Sequence, residues 1–315
     1  MSISRRQLGQ LVAGAAPIAS LSWLGRPLAA QASRPRPHSR VGGVQIGLNA
    51  PYNFGNNNLP GEEVLWRTVL LGVNALELRS QPIERFMGWQ VPASLPAPAA
   101  GQTPAQVTAG LLRTWRRTAD LAKAREFRRQ YDEAGVAIEI LKFDNIYNFD
   151  DAELDYAFAL AKAVGARAIS CEISASGTAR VGAFADKHQL FVGYHGHAET
   201  TPADWETAFS QAKYNGANLD IGHFVAGNNT SPVPFLTTHH DRITHIHVKD
   251  RKMQNGPNVP FGQGDTPIAE VLRLIRDRKW NIQATIEFEY PVPAGSDRTL
   301  EIARAIEFCR AALSA

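Results

Sequence analysis

The chain has 315 residues, 44% of them hydrophobic, with 33 Lys and Arg against 30 Asp and Glu for a formal net charge of +3. It is long enough to bury a large core in one or two domains, and without a basic block it argues against a nucleic-acid partner. Its two cysteines, Cys171 and Cys309, are too few for a disulfide framework and read as core thiols.

Residues 1–32 read as an export signal. Arg5 and Arg6 precede an apolar run from Leu11 to Leu24, and Ala30-Gln31-Ala32 offers a small-x-small cleavage site. The paired arginines favour the twin-arginine machinery as a partner and a periplasmic address. The run is short for a bilayer span of ~20 residues. The signal holds three arginines and no acid, so the chain beyond it is neutral. Residues 33–43, rich in Pro and Arg at the start, read as a linker, and 44–315 as one catalytic domain.

Short apolar runs then alternate with longer amphipathic ones. The expected strands are 44–48, 75–79, 137–141, 168–172, 190–195, 218–221, 243–248 and 284–288. The expected helices include 62–71, 104–134 with a break near Arg117, 151–164, 202–215, 267–278 and 296–313. Thr201-Pro202-Ala203-Asp204 supplies a helix start, and Gly135, Gly165 and Gly216 read as helix stops. Eight strands alternating with helices predict an α/β fold, a single-domain (β/α)₈ TIM barrel. An open doubly wound sheet would want a Gly-rich phosphate turn after the first strand, and Asn49-Ala50-Pro51-Tyr52 is none. Residues 80–103 form the one large insertion, and Gly262-Gln263-Gly264-Asp265 reads as a flexible loop near the site.

The polar residues of the strands carry the functional signal. Thr244–Asp250 reads T-H-I-H-V-K-D, so His245, His247 and Lys249 share one strand face. His195 and His197 repeat the pattern in G-Y-H-G-H, as do Glu287 and Glu289 in T-I-E-F-E-Y. Asp220 ends another strand with His223 three residues on, and Glu172 ends a fourth. Singly, each has a bland reading: a solvated rim carboxylate for Glu172, an N-cap for Asp220, a core histidine for His247. Jointly they suggest a cation in the barrel mouth, because unpaired buried carboxylates cost several kcal/mol each. Strands four to eight carry nearly all of this set.

The order strand-end Glu, D-x-x-H, H-x-K-D and I-E resembles the xylose-isomerase-like barrel superfamily of sugar isomerases and epimerases, which also includes inosose dehydratases and AP endonucleases. G-Y-H-G-H resembles the Y-H-N-H strand of many members, with Gly196 in place of the usual Asn. The resemblance implies one divalent ion, Mn²⁺, Mg²⁺ or Co²⁺ with Zn²⁺ as the alternative, held by Glu172, Asp220, His247 and Glu287. Glu289 competes with Glu287 for the last position. It implies substrate contacts from His195, His197, His223, Lys249 and Glu289. Family epimerases often carry an arginine six residues beyond the ligand histidine, where this chain has Met253.

The implied chemistry is proton transfer α to a carbonyl, with Glu172 and Glu287 on opposite walls as catalytic carboxylates. Return of the proton to the same carbon epimerises, and return to its neighbour isomerises. Loss of a β-leaving group instead would make the enzyme a lyase or dehydratase. Export points to an unphosphorylated carbohydrate, such as a keto-sugar or 3-keto-glycoside. A non-catalytic sugar-binding barrel is the alternative outside enzymology. The nuclease members need several more histidines, and none lies between His38 and His188 here. The sequence leaves monomer and homo-oligomer equally open.

Overall fold

The computed structural model describes residues 36–315. The export signal expected over 1–32 lies outside the described residues, and among those described no helix is long and apolar enough to cross a membrane. The eight barrel strands are β1 (Val44–Ala50), β2 (Ala75–Arg79), β3 (Ala137–Lys142), β4 (Ala168–Glu172), β5 (Phe191–His195), β6 (Asn215–Asp220), β7 (Ile243–Val248) and β8 (Gln283–Ile286). Each pairs in parallel with its sequence neighbours, and β1 pairs with both β2 and β8. That double pairing closes the sheet, and the closed (β/α)₈ barrel agrees with the sequence expectation.

Eleven helices accompany the described strands: α1 (Gly61–Leu70), α2 (Ser80–Phe86), α3 (Pro104–Arg116), α4 (Leu121–Glu133), α5 (Asp151–Val164), α6 (Thr178–His188), α7 (Pro202–Gln211), α8 (Ile221–Asn228), α9 (Val233–His239), α10 (Ile268–Arg278) and α11 (Arg298–Ser314). Capping chemistry sets several starts. Asp150 and Glu153 exchange side-chain and backbone hydrogen bonds at the head of α5, and Gly165 closes the helix in a left-handed conformation. The break expected near Arg117 separates α3 from α4, whose Asp120 accepts from the Ala122 amide.

Several features depart from expectation. α6 had no place in the sequence reading, and the large insertion opens with α2. Residues 36–43, read as linker, already belong to the fold. Arg40–Val41 pairs antiparallel with the start of β1, and Ser39 is buried, donating from its hydroxyl to the Ile46 carbonyl at 2.7 Å. Gly216 is not a helix stop. α7 ends four residues earlier than expected, and Asn215 donates to its Ala208 carbonyl at 2.7 Å. Gly216 lies inside β6, where an added Cβ would stand 2.5 Å from the Arg242 carbonyl oxygen, so close strand approach requires glycine. The 262–265 loop is pinned, because Asp250 accepts from the backbone amides of Gly262, Gly264 and Thr266 at 2.8, 2.9 and 3.2 Å.

The insertion is fastened by a buried ion cluster. Arg116 donates to Glu84 of α2 at 2.8 Å and to Glu153 of α5 at 3.0 Å, with its guanidinium 4.3 Å from the Phe149 ring centroid. The barrel interior departs from the usual layers of branched aliphatics. Glu77, Ser170, Asn218, His245 and Thr285 are all fully buried polar residues on its strands. This polar interior supports the residues of the mouth above it.

Candidate functional site

Strand ends supply the site. Asp220 is the last residue of β6 and stays extended, so its two oxygens face different ways. Oδ1 accepts from the His223 amide at 2.7 Å and caps α8. Oδ2 turns into the mouth, 3.0 Å from Lys249 Nζ, 3.4 Å from His195 Nε2 and 3.8 Å from His247 Nδ1. Asp220 thus caps α8 with one oxygen and faces the barrel mouth with the other.

The alternation in β7 carries His245, His247 and Lys249 inward, and all three are buried. β8 delivers Glu287 directly after its last residue. Glu287 Oε1 accepts from Asn49 Nδ2 at 2.7 Å, and Oε2 lies 3.2 Å from His247 Nδ1 and 2.5 Å from Lys249 Nζ. Glu289 reaches Lys249 from the other side at 2.6 Å and accepts from the Tyr52 hydroxyl at 2.8 Å. Lys249 is thus an ammonium inside a ring of three carboxylates, with His223 Nε2 a further 3.0 Å away.

Glu172 stands apart from this ring. Its carboxylate meets Lys142 Nζ at 2.8 Å, His195 Nδ1 at 2.9 Å and His197 Nε2 at 2.8 Å. The His195 ring bridges the two halves, with Nδ1 toward Glu172 and Nε2 toward Asp220. Of the four residues expected around one ion, Asp220, His247 and Glu287 come together, and Glu172 is one imidazole away. Of the expected substrate contacts, His195, His223, Lys249 and Glu289 adjoin the ring, while His197 is exposed at the rim beside Glu172.

Electrostatics follow from burial and these partners. Burial would raise the carboxyls of Asp220 and Glu287. For Asp220 the neighbouring His223 and Lys249, and for Glu287 His247 and Lys249, hold the group well below the usual range instead. Glu172 is likewise held ionised against its burial by the bonds from His195 and His197 and by Lys142. Burial would lower His247, but the Glu287 and Glu77 carboxylates raise it to about 10. Burial and the nearby Lys249 and His195 outweigh the carboxylates at His223 and leave it at about 4.

The first three strands also contribute, against the expectation that strands four to eight suffice. Asn49 (β1), Glu77 (β2) and Lys142 (β3) bond Glu287, His247 and Glu172 in turn. Glu77 carried a legible signal: in A-L-E-L-R a carboxylate alternates with leucines, the pattern used for Glu287. Arg251, four residues beyond His247, occupies neither an expected position nor an expected role. It reaches back to His223 Nδ1 at 2.6 Å.

The donor set tests well against a divalent ion. His247 Nδ1 lies 3.2 Å from Glu287 Oε2 and 3.8 Å from Asp220 Oδ2, so one ring nitrogen faces two carboxylates in the buried mouth. Two carboxylates and an imidazole suit a borderline or hard divalent metal. Glu77 can only accept, so its 2.5 Å contact with His247 Nε2 puts the imidazole proton on that nitrogen of the neutral ring. Loss of the Nδ1 proton, which faces Glu287 Oε2 at 3.2 Å, would then free that lone pair for an ion in the mouth.

A family model for the xylose isomerase-like TIM barrel matches residues 106–312. The chain belongs to this family. Among solved structures, D-psicose 3-epimerase from Clostridium cellulolyticum H10 is 12% identical, with 86% of this chain and 99% of that one covered and a TM-score of 0.60. The probable 3-DHS dehydratase AsbF from Bacillus anthracis is 12% identical over 84% and 99% of the two chains, with a TM-score of 0.58. A sugar phosphate isomerase/epimerase from Parabacteroides distasonis ATCC 8503 is 14% identical over 84% and 95%, with a TM-score of 0.56. No curated protein matches the chain. At these identities the structural likeness is one of fold, and within the xylose isomerase-like family the reaction must be argued from the side chains.

The departure at Gly196 has a steric cause. A Cβ there would lie 2.3 Å from the fully buried Trp205 ring and 2.8 Å from the Thr200 methyl. The indole occupies the space that the usual Asn side chain would need.

Proposed function

We propose that this protein is a divalent-metal-dependent sugar isomerase or epimerase that moves a proton α to a carbonyl of an unphosphorylated sugar or keto-sugar. The observation that carries the reading is the convergence of Asp220, His247 and Glu287, with His247 Nδ1 3.2 Å from Glu287 Oε2 and 3.8 Å from Asp220 Oδ2 inside a buried, acidic mouth. These three residues would hold the ion. When bound, it supplies Lewis acidity, polarising a substrate carbonyl and acidifying the neighbouring C–H.

The side chains divide the remaining work. Glu172 is held ionised, so it rests in the form that accepts a proton at a carboxylate oxygen. Lys142 and His197 fix that carboxylate, and His195 connects it to Asp220. Glu287, on the far side of His195, is the second proposed catalytic carboxylate, and His195, His197, His223, Lys249 and Glu289 are the proposed substrate contacts. Mn²⁺, Mg²⁺ or Co²⁺ suits the ligands, with Zn²⁺ the alternative. Export through the twin-arginine route to the periplasm is part of the proposal and rests on residues 1–32.

A dehydratase is the second reading. It is favoured by Lys249, a buried ammonium beside His223 that can donate to a departing hydroxyl. One experiment addresses both readings and the non-catalytic one. The purified protein is analysed for bound metal, then assayed against ketoses and 3-keto-glycosides in D₂O. One divalent ion per chain with deuterium uptake at carbon supports proton abstraction, and an unsaturated product selects the dehydratase. Glu172→Gln and His247→Ala should both abolish turnover, and His247→Ala should also release the metal. Full activity in either variant overturns this site.

A further inference from the structure

His223 is caught between two cations. Arg251 Nη1 lies 2.6 Å from its Nδ1, and Lys249 Nζ lies 3.0 Å from its Nε2. A neutral imidazole has one lone pair and one N–H, so it cannot accept from both. A guanidinium has no lone pair to offer and does not deprotonate in proteins. The Arg251 contact therefore settles the tautomer: Nδ1 accepts, and the proton sits on Nε2.

Arg251 is itself held firmly. Its Nε and Nη2 donate to the Gly256 carbonyl at 3.1 and 2.7 Å, and Nη2 reaches Asn255 Oδ1 at 3.2 Å. The turn 252–257 thus aims the guanidinium at His223. The resulting Nε2–H points into the mouth, where the nearest carboxylate oxygens, on Asp220 and Glu289, are each 3.9 Å away. It meets Lys249 Nζ instead, and that ammonium directs its own N–H groups to Asp220, Glu287 and Glu289 at 3.0, 2.5 and 2.6 Å, so the His223 Nε2–H is left without an acceptor. His223 is only 7% exposed and Lys249 only 1%. A buried donor left over in this way is complementary to an oxygen with lone pairs.

We infer that Arg251 is a positioning residue that fixes His223 as its Nε2–H tautomer and so aims that N–H at one substrate oxygen. This rests on the proposed function only in naming the oxygen as that of a sugar carbonyl or hydroxyl.

The test is long-range ¹H–¹⁵N correlation on protein labelled with ¹⁵N-histidine, with the His223 resonances assigned by their loss in His223→Gln. In the wild type His223 should show a protonated Nε2 and a bare Nδ1. Arg251→Met, which cannot donate, should shift the ring toward a tautomer mixture, and Arg251→Lys, which can, should restore the wild-type pattern. On a substrate found in the D₂O panel, kcat of Arg251→Met should fall by up to ~100-fold, the scale of one lost oxyanion donor. Manganese affinity should not change. A protonated Nδ1 in the wild type overturns the inference, as does an unchanged tautomer in Arg251→Met. The spectrum needs neither metal nor sugar. A failed sugar assay therefore counts against the proposed function, while the tautomer alone decides the role of Arg251.

Discussion

Glu77 and His247 sit 170 residues apart, yet the Glu77 carboxylate meets His247 Nε2 at 2.5 Å inside the barrel, with neither side chain exposed. This contact turns His247 Nδ1 toward the mouth, where it faces Glu287 Oε2 at 3.2 Å. Outer partners of this kind are typically worth ~10–100-fold in metal affinity. Glu77→Gln, which keeps the shape and removes the charge, should weaken manganese binding by about that factor. Titration calorimetry reads the change, and wild-type affinity in the variant would show that the contact only fills space.

Lys249 holds three carboxylates together without a metal. Removing one partner of a buried charge cluster typically costs ~3–5 kcal/mol. Lys249→Met should lose about that much stability in chelator-treated protein. Added Mn²⁺ should recover more stability in the variant than in the wild type, because the ion then supplies the missing positive charge. Urea denaturation with and without the metal measures both quantities.

The metal-free protein should be most stable near neutral pH. Folding raises His247 to about 10, so its contribution is complete below the unfolded value of ~6.5 and is lost as pH climbs toward 10. Folding depresses His223 to about 4, so its contribution is complete above ~6.5 and is lost as pH falls toward 4. Urea midpoints across this range should trace a maximum with two falling limbs. His247→Asn should flatten the alkaline limb and leave the acid one.

Gly196→Asn restores the residue usual in related barrels and should nonetheless destabilise this one. Trp205 fills the space, and overpacking a tight site typically costs ~1–3 kcal/mol. The paired variant Gly196→Asn with Trp205→Leu should regain part of the loss. Thermal melts of the two proteins and the wild type decide it.

The barrel was legible because parallel strands announce themselves as short apolar runs, and the strand ends because charged residues break that pattern. Asp220, His247 and Glu287 could be grouped from order along the chain. The separation of Glu172 could not, since the ring between it and Asp220 belongs to His195, whose two nitrogens turn to opposite sides only once the β4–β5–β6 register is set. Lys142 ends β3 as Glu172 ends β4, but a single terminal lysine looks the same in sequence whether it is solvated or paired. Arg251 was invisible for another reason. Its partner lies on the preceding βα unit, and no spacing within one segment encodes that contact. Gly216 misled because a glycine after a helix and a glycine under a crossing carbonyl look alike in sequence.

Asp220 leaves little room for retuning by an engineer. One oxygen begins a helix and the other faces the proposed ion site, so truncation would loosen the scaffold and remove a proposed ligand together, and no activity loss could be ascribed to either. Asparagine alone separates the two duties, keeping an acceptor for the amide while discarding the charge.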